Sequence, residues 1–190
     1  MRFKSKYKMM SKYAVFLPVL LFCSLVAQAG TAVTYSSQDK SYFSVQVPDS
    51  WQVNVGSDMD SSQVPEGEIP PPRVITLVPD DDSSLWFGVW VPVYLHSIEA
   101  AQEYLVSLDE FLVDDPVLKK TEDVNLNDMP ARYFTGKGTK EGNLAHFFVM
   151  LFEISEESVG IAIYIGAPET TEKHIEELRG IMKSITPAGA

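Results

Sequence analysis

The segment "SYFSVQVPDSWQV" sets Phe43, Val45 and Val47 in alternation with Ser44 and Gln46, then breaks at Pro48 and Asp49. A period of two puts the three apolar side chains on one face, which predicts a half-buried strand, a turn and a second short strand anchored by Trp51. "GSDMDSSQVPEGEIPPP" follows with no apolar period and much Pro, Gly, Ser and acid, which predicts a long exposed loop. "RVITLVP" reads as a strand, and "DDDSS" turns it into "LWFGVWVPVYL". In that segment Phe87, Val89, Val91, Val93 and Leu95 share one face, and Trp86, Trp90 and Tyr94 share the other. A strand apolar on both faces belongs inside a sheet covered on two sides, unless the aromatic face lines a groove.

"SIEAAQEYLVSLDEFLVDD" changes to helical spacing, with Ile98, Ala101, Leu105, Leu108 and Leu112 on one stripe and Ser97 placed to cap the start. "TEKHIEELRGIMKSI" repeats the logic with Ile175, Leu178, Met182 and Ile185, and with Thr170 or Thr171 as cap. Between the two helices lie "LKKTEDVNLN", "ARYFTGKG", "NLAHFFVMLFEIS" and "SVGIAIYIGA", four strand-like segments joined by short turns. Short turns predict consecutive antiparallel neighbours, a meander, with the glycines of "GKGTKEGN" supplying positive φ at one hairpin tip. The expected class is α+β: a single antiparallel sheet of about six to seven strands flanked by helices.

The amino terminus is a different kind of sequence. Arg2, Lys4, Lys6, Lys8 and Lys12 precede "YAVFLPVLLFCSLV" and then "AQA" before Gly30, the basic, apolar and small-residue order of a secretory signal cleaved after Ala29. Its apolar stretch falls short of the roughly 20 residues that span a bilayer. Cys23 follows Phe22, whereas a lipidated cysteine follows a small residue, so the expectation is cleavage without lipidation. Residues 30–190 then form one domain that folds without a disulfide in the periplasm or outside the cell. The signal removes five of the 15 Lys and Arg and none of the 26 Asp and Glu, so the net charge moves from −11 to about −16. Such a field excludes nucleic acid and anionic lipid as partners and favours cationic partners or loosely held divalent ions.

Motifs for chemistry are missing. Gly136, Lys137, Gly138 and Thr139 stand in the wrong order for a phosphate loop and precede a strand instead of a helix. No nucleophile elbow and no paired metal-ligand spacing occurs, and His96, His146 and His174 sit in separate elements. No cofactor and no metal ligand is assigned. The candidate ligand-binding residues are Trp86, Trp90, Tyr94 and Tyr133, a row that makes either a core face or an apolar groove with polar tips. Lys119, Lys120, Arg132, Lys137 and Lys140 gather the few cations into neighbouring segments. The leading expectation is a secreted, non-enzymatic protein that binds a protein or an apolar small ligand. The rivals are a hydrolase whose His146 or His174 finds a serine or carboxylate on folding, and an acidic calcium-dependent module using Asp80, Asp81 and Asp82 or Asp58 and Asp60.

"FSVQVPDSW", the helix before the meander, "VNLNDMPARYF", the hairpin at "GKGTKEG" and the closing helix at "IMKSI" together resemble the PsbP-like family, which shares its fold with the Ran-binding Mog-type proteins. The resemblance spans most of residues 30–190. It departs at one turn, where the family has Asn-Gly and this chain has Asn127-Asp128 before Pro130 and Ala131. The resemblance implies an α/β/α sandwich and a binding, assembly or accessory role without catalysis. No ligand residue of the photosystem members matches here.

Overall fold

The structure is a computed structural model and describes residues 30–57, 72–106 and 112–189. Ten strands and three helices follow one another among the described residues. β1 (Gly30–Ser37), β2 (Lys40–Pro48) and the short β10 (Thr186–Pro187) form a three-stranded antiparallel sheet in the order β1-β2-β10. β3 (Trp51–Val55), β4 (Ile75–Pro79), β5 (Trp86–Trp90), β6 (Asp114–Leu126), β7 (Met129–Lys140), β8 (Asn143–Ser155) and β9 (Ser158–Gly166) form a seven-stranded sheet in the order β3-β4-β5-β9-β8-β7-β6. The meander β6 to β9 is as the sequence implies. "SYFSVQVPDSWQV" divides between the two sheets, because the turn at Pro48 sends β2 to β1 and β3 to β4.

Register fixes which side chains share a face. Trp90 stands opposite Ile161, Ile161 opposite Leu151, and Leu151 opposite Arg132. On this first face lies α1 (Ile98–Val106), whose start is capped by Ser97 Oγ accepting from Ala100 N–H at 3.1 Å, and whose Glu99 carboxylate and Gln102 carboxamide oxygens accept from Arg132 Nη1. On the second face lie β1, β2, α2 (Pro168–Lys173) and α3 (Ile175–Lys183). There the ring of Phe43 meets Phe152 edge-on at 5.8 Å, and Gln46 N–H donates to Ser184 Oγ at 2.8 Å. Phe43, Val45, Ile75, Leu77, Phe87, Val89, Phe152, Leu178 and Ile181 are buried between the layers. Each such side chain stabilises the fold by about 1.5–3 kcal/mol relative to its exposed state.

Four expectations shift. The strand expected through Leu95 ends at Trp90, since Pro92 has no N–H for the ladder and its carbonyl instead accepts from Leu95 N–H at 3.1 Å in a turn. The first helix does not reach Asp115, because Asp114 and Asp115 already belong to β6; Leu108 lies outside the described residues. The closing helix starts at Pro168, the favoured first position, and is interrupted at His174, so Thr170 and Thr171 lie inside α2 instead of capping it. At the hairpin tip the turn is Glu141-Gly142, with φ of 53° and 78°; Gly136 and Gly138 lie within β7. The signal segment and most of the acidic loop, with Asp58 and Asp60, fall outside the described residues.

Candidate functional site

The meander sets Phe134, Val149 and Ile163 in one row, and Phe147 and Ile165 in the next, on the face that carries α1. α1 leaves a hollow above them, although each of the five is at most 8% exposed. Leu105 and Val106 at its end, Leu112 and Val113 beyond it, and Pro116 and Leu118 of β6 form the facing wall of a groove of about 320 Å³. Gln102 is the one polar side chain among its described lining residues. The mouth is apolar too: Val106 is 67% exposed and Leu118 59%. Glycine shapes the floor, since a Cβ at Gly136 would come within 2.3 Å of Phe147 Cζ and 2.5 Å of the Val117 carbonyl oxygen. Phe147 therefore lies across β7 instead of standing up into the groove. A concave, apolar, small-molecule-sized hollow is the usual form of a ligand site.

The aromatic candidates do not make one surface. Trp86 and Trp90 lie on the α1 face, where Trp90 is only 4% exposed and its buried Nε1–H has no hydrogen-bond partner among the described residues. Tyr94 lies in the turn after β5, edge-on to Tyr104 of α1 at 5.9 Å, and burial pushes its phenol well above the ordinary tyrosine range. Tyr133 faces the opposite way. Its ring stacks on Phe148 at 5.6 Å and Phe148 stacks on Tyr164 at 5.6 Å, while its hydroxyl donates to Glu122 and the Lys120 ammonium lies over its ring. The groove residues escaped the sequence reading because their strands are apolar on both faces, so nothing in the pattern separates a tightly packed row from one that lines a hollow.

His96 and His174 meet acceptors instead of nucleophiles, and His146 stands opposite Lys137 across β7 and β8. His96 Nδ1 is 2.8 Å from the Glu157 carbonyl oxygen. His174 is buried, with Nδ1 2.6 Å from Glu177 Oε2 and Nε2 3.3 Å from Asp81 Oδ1, the latter within ion-pair distance but outside hydrogen-bond geometry. Glu177 also accepts from Trp51 Nε1–H and from Ser50 Oγ, each at 3.2 Å. Burial pushes the Glu177 carboxyl up, yet the bonds from His174, Trp51 and Ser50 outweigh it and hold the group below its usual range. Asp82 accepts from Ser84 Oγ and N–H and from Thr170 Oγ1, which lowers its pKa to about 2. Asp81 pairs with Lys173 Nζ at 2.7 Å. The Asp80–Asp82 turn thus ties β4 to α2, and no cluster of His, Cys, Asp and Glu among the described residues is arranged to hold a metal. Of the gathered cations, Arg132 pairs with Asp123 and Glu99, and Lys120 pairs with Glu122.

No protein-family model matches the chain, and no curated protein matches it. Solved structures do. Cyanobacterial PsbP (CyanoP) from Synechocystis sp. PCC 6803 superposes with a TM-score of 0.57 at 10% identity, over 88% of this chain and 98% of that one. LpqN of Mycobacterium tuberculosis, involved in cell envelope biogenesis, aligns over 85% of this chain and 87% of its own at 14% identity with a TM-score of 0.49. The Saccharomyces cerevisiae Ran-binding protein Mog1p aligns over 83% and 95% at 11% identity with a TM-score of 0.46. The fold is the PsbP-like one that the order of elements resembles.

Proposed function

We propose that the protein is a non-enzymatic binding protein of the cell envelope that takes the hydrocarbon part of a small ligand into the groove between α1 and the seven-stranded sheet. One observation carries the reading: a hollow of about 320 Å³ whose described walls are hydrocarbon apart from Gln102. Water in such a space finds too few partners, so an apolar ligand displaces it at little cost. The basic and apolar order of residues 1–29 supports export. A binding role also fits His96 and His174, whose described neighbours are a carbonyl and two carboxylates instead of a serine awaiting activation. No helix among the described residues is long and apolar enough to cross a membrane.

Fluorescence titration with N-phenyl-1-naphthylamine tests this on the protein purified as processed by the cell. Saturable binding at one site per chain is expected, and Leu118→Asp removes it. Leu118 is a rim residue, so its replacement changes stability by only about 0.5 kcal/mol or less. Unchanged probe binding in a folded Leu118→Asp variant contradicts the groove as the site.

A further inference from the structure

Beside the groove, on the same face of the sheet, a second cleft of about 360 Å³ lies between the tip of the β7–β8 hairpin, the start of β5 and the junction of β9 with α2. Ile165 belongs to the walls of both hollows. Their chemistry differs. Where the groove is hydrocarbon, the cleft presents Ser83, Trp86, Lys140, Glu141 and Asn143. The Trp86 indole is spread over the bare backbone of Gly88, where a Cβ would stand 2.3 Å from Cη2 and 2.6 Å from Cζ2. An indole laid flat along a cleft offers its π surface to a cation. Lys140 and Glu141 follow each other at the hairpin tip, and neither has an ion-pair partner among the described residues. The cleft therefore combines one positive charge, one negative charge and one aromatic plane beside a hydrocarbon-lined groove.

We infer that the ligand is a single-chain amphiphile with a zwitterionic head, a phosphate ester joined to an ammonium, whose chain lies in the groove and whose head lies in the cleft. The phosphate meets Lys140 and the Asn143 amide, and the ammonium meets the Trp86 face and Glu141. This rests on the groove reading and adds the head group to it. A purely anionic head gains Lys140 but meets Glu141 in a chain of formal net charge −11. A neutral head strips water from both charges and pairs neither. The zwitterion compensates both at once.

Isothermal titration calorimetry below the micelle concentration, on the protein purified as processed by the cell, separates the cases with three probes of equal chain: dodecylphosphocholine, dodecyl phosphate and dodecyl maltoside. The phosphocholine is expected to bind about tenfold tighter than either of the others. Lys140→Gln and Trp86→Ala each reduce that preference to about threefold or less while maltoside binding persists; Lys140 is on an exposed hairpin, so its variant folds even where Trp86→Ala does not. Equal affinities for the three heads overturn the head-group assignment and leave the groove standing. A preference that survives in both variants overturns the cleft, and failure of all three probes overturns the groove together with it.

Discussion

At the scale of single residues, a glycine inside a strand is held in place by its neighbours. Gly160 lies opposite Phe152 across β8 and β9, and a Cβ there would stand 2.2 Å from Cζ of a fully buried ring. Gly160→Ala therefore overpacks the core and costs about 1–3 kcal/mol, read as a lower midpoint in urea unfolding at unchanged m-value. Asp82 gives a pH signature. Its folded pKa, about 2, lies below the unfolded carboxylate value of about 3.9, so the stabilisation is complete above the unfolded value and is lost as pH falls through the folded one. Wild type should lose more stability between about pH 5 and pH 2 than Asp82→Asn does, and equal losses contradict the Ser84 and Thr170 bonds as the cause. Neither role is written in the sequence. "DDDSS" reads as a wet acidic turn, and only the approach of α2 makes its second carboxylate a tie.

At the scale of elements, local patterns were legible where a strand has one polar face or a helix has a cap. Phe43, Val45 and Val47 are buried as their alternation requires, and Ser97 caps α1. Boundaries set by tertiary contacts were not legible: His174 interrupts the closing helix, where its buried ring lies between Glu177 and Asp81. The Asn127-Asp128 turn shows the same limit. Both residues adopt positive φ, 48° and 67°, and Asn127 Nδ2 donates to the carbonyls of Lys183 and Ile185 at 2.6 and 2.7 Å. The side chain thus joins the β6–β7 hairpin to the end of α3. Asn127→Gly keeps the backbone geometry and loses both bonds, for an expected cost of about 1–3 kcal/mol; a midpoint equal to wild type denies the turn this tethering role.

At the scale of the whole molecule, the α+β class and the meander follow from the order of strand-like and helix-like segments. The second sheet and the groove do not. Both depend on how far α1 reaches across a sheet that is apolar on both faces, and apolar run length carries no information about which row a neighbour covers. The central claim is that the groove beneath α1 is a site instead of a packing fault. Methyl-resolved NMR with dodecylphosphocholine added below its micelle concentration tests it most directly. Shifts confined to Leu105, Val149, Ile163 and Ile165 are the predicted result. Shifts centred on Val45, Leu178 and Ile181 on the opposite face, or no shifts at all, would contradict it.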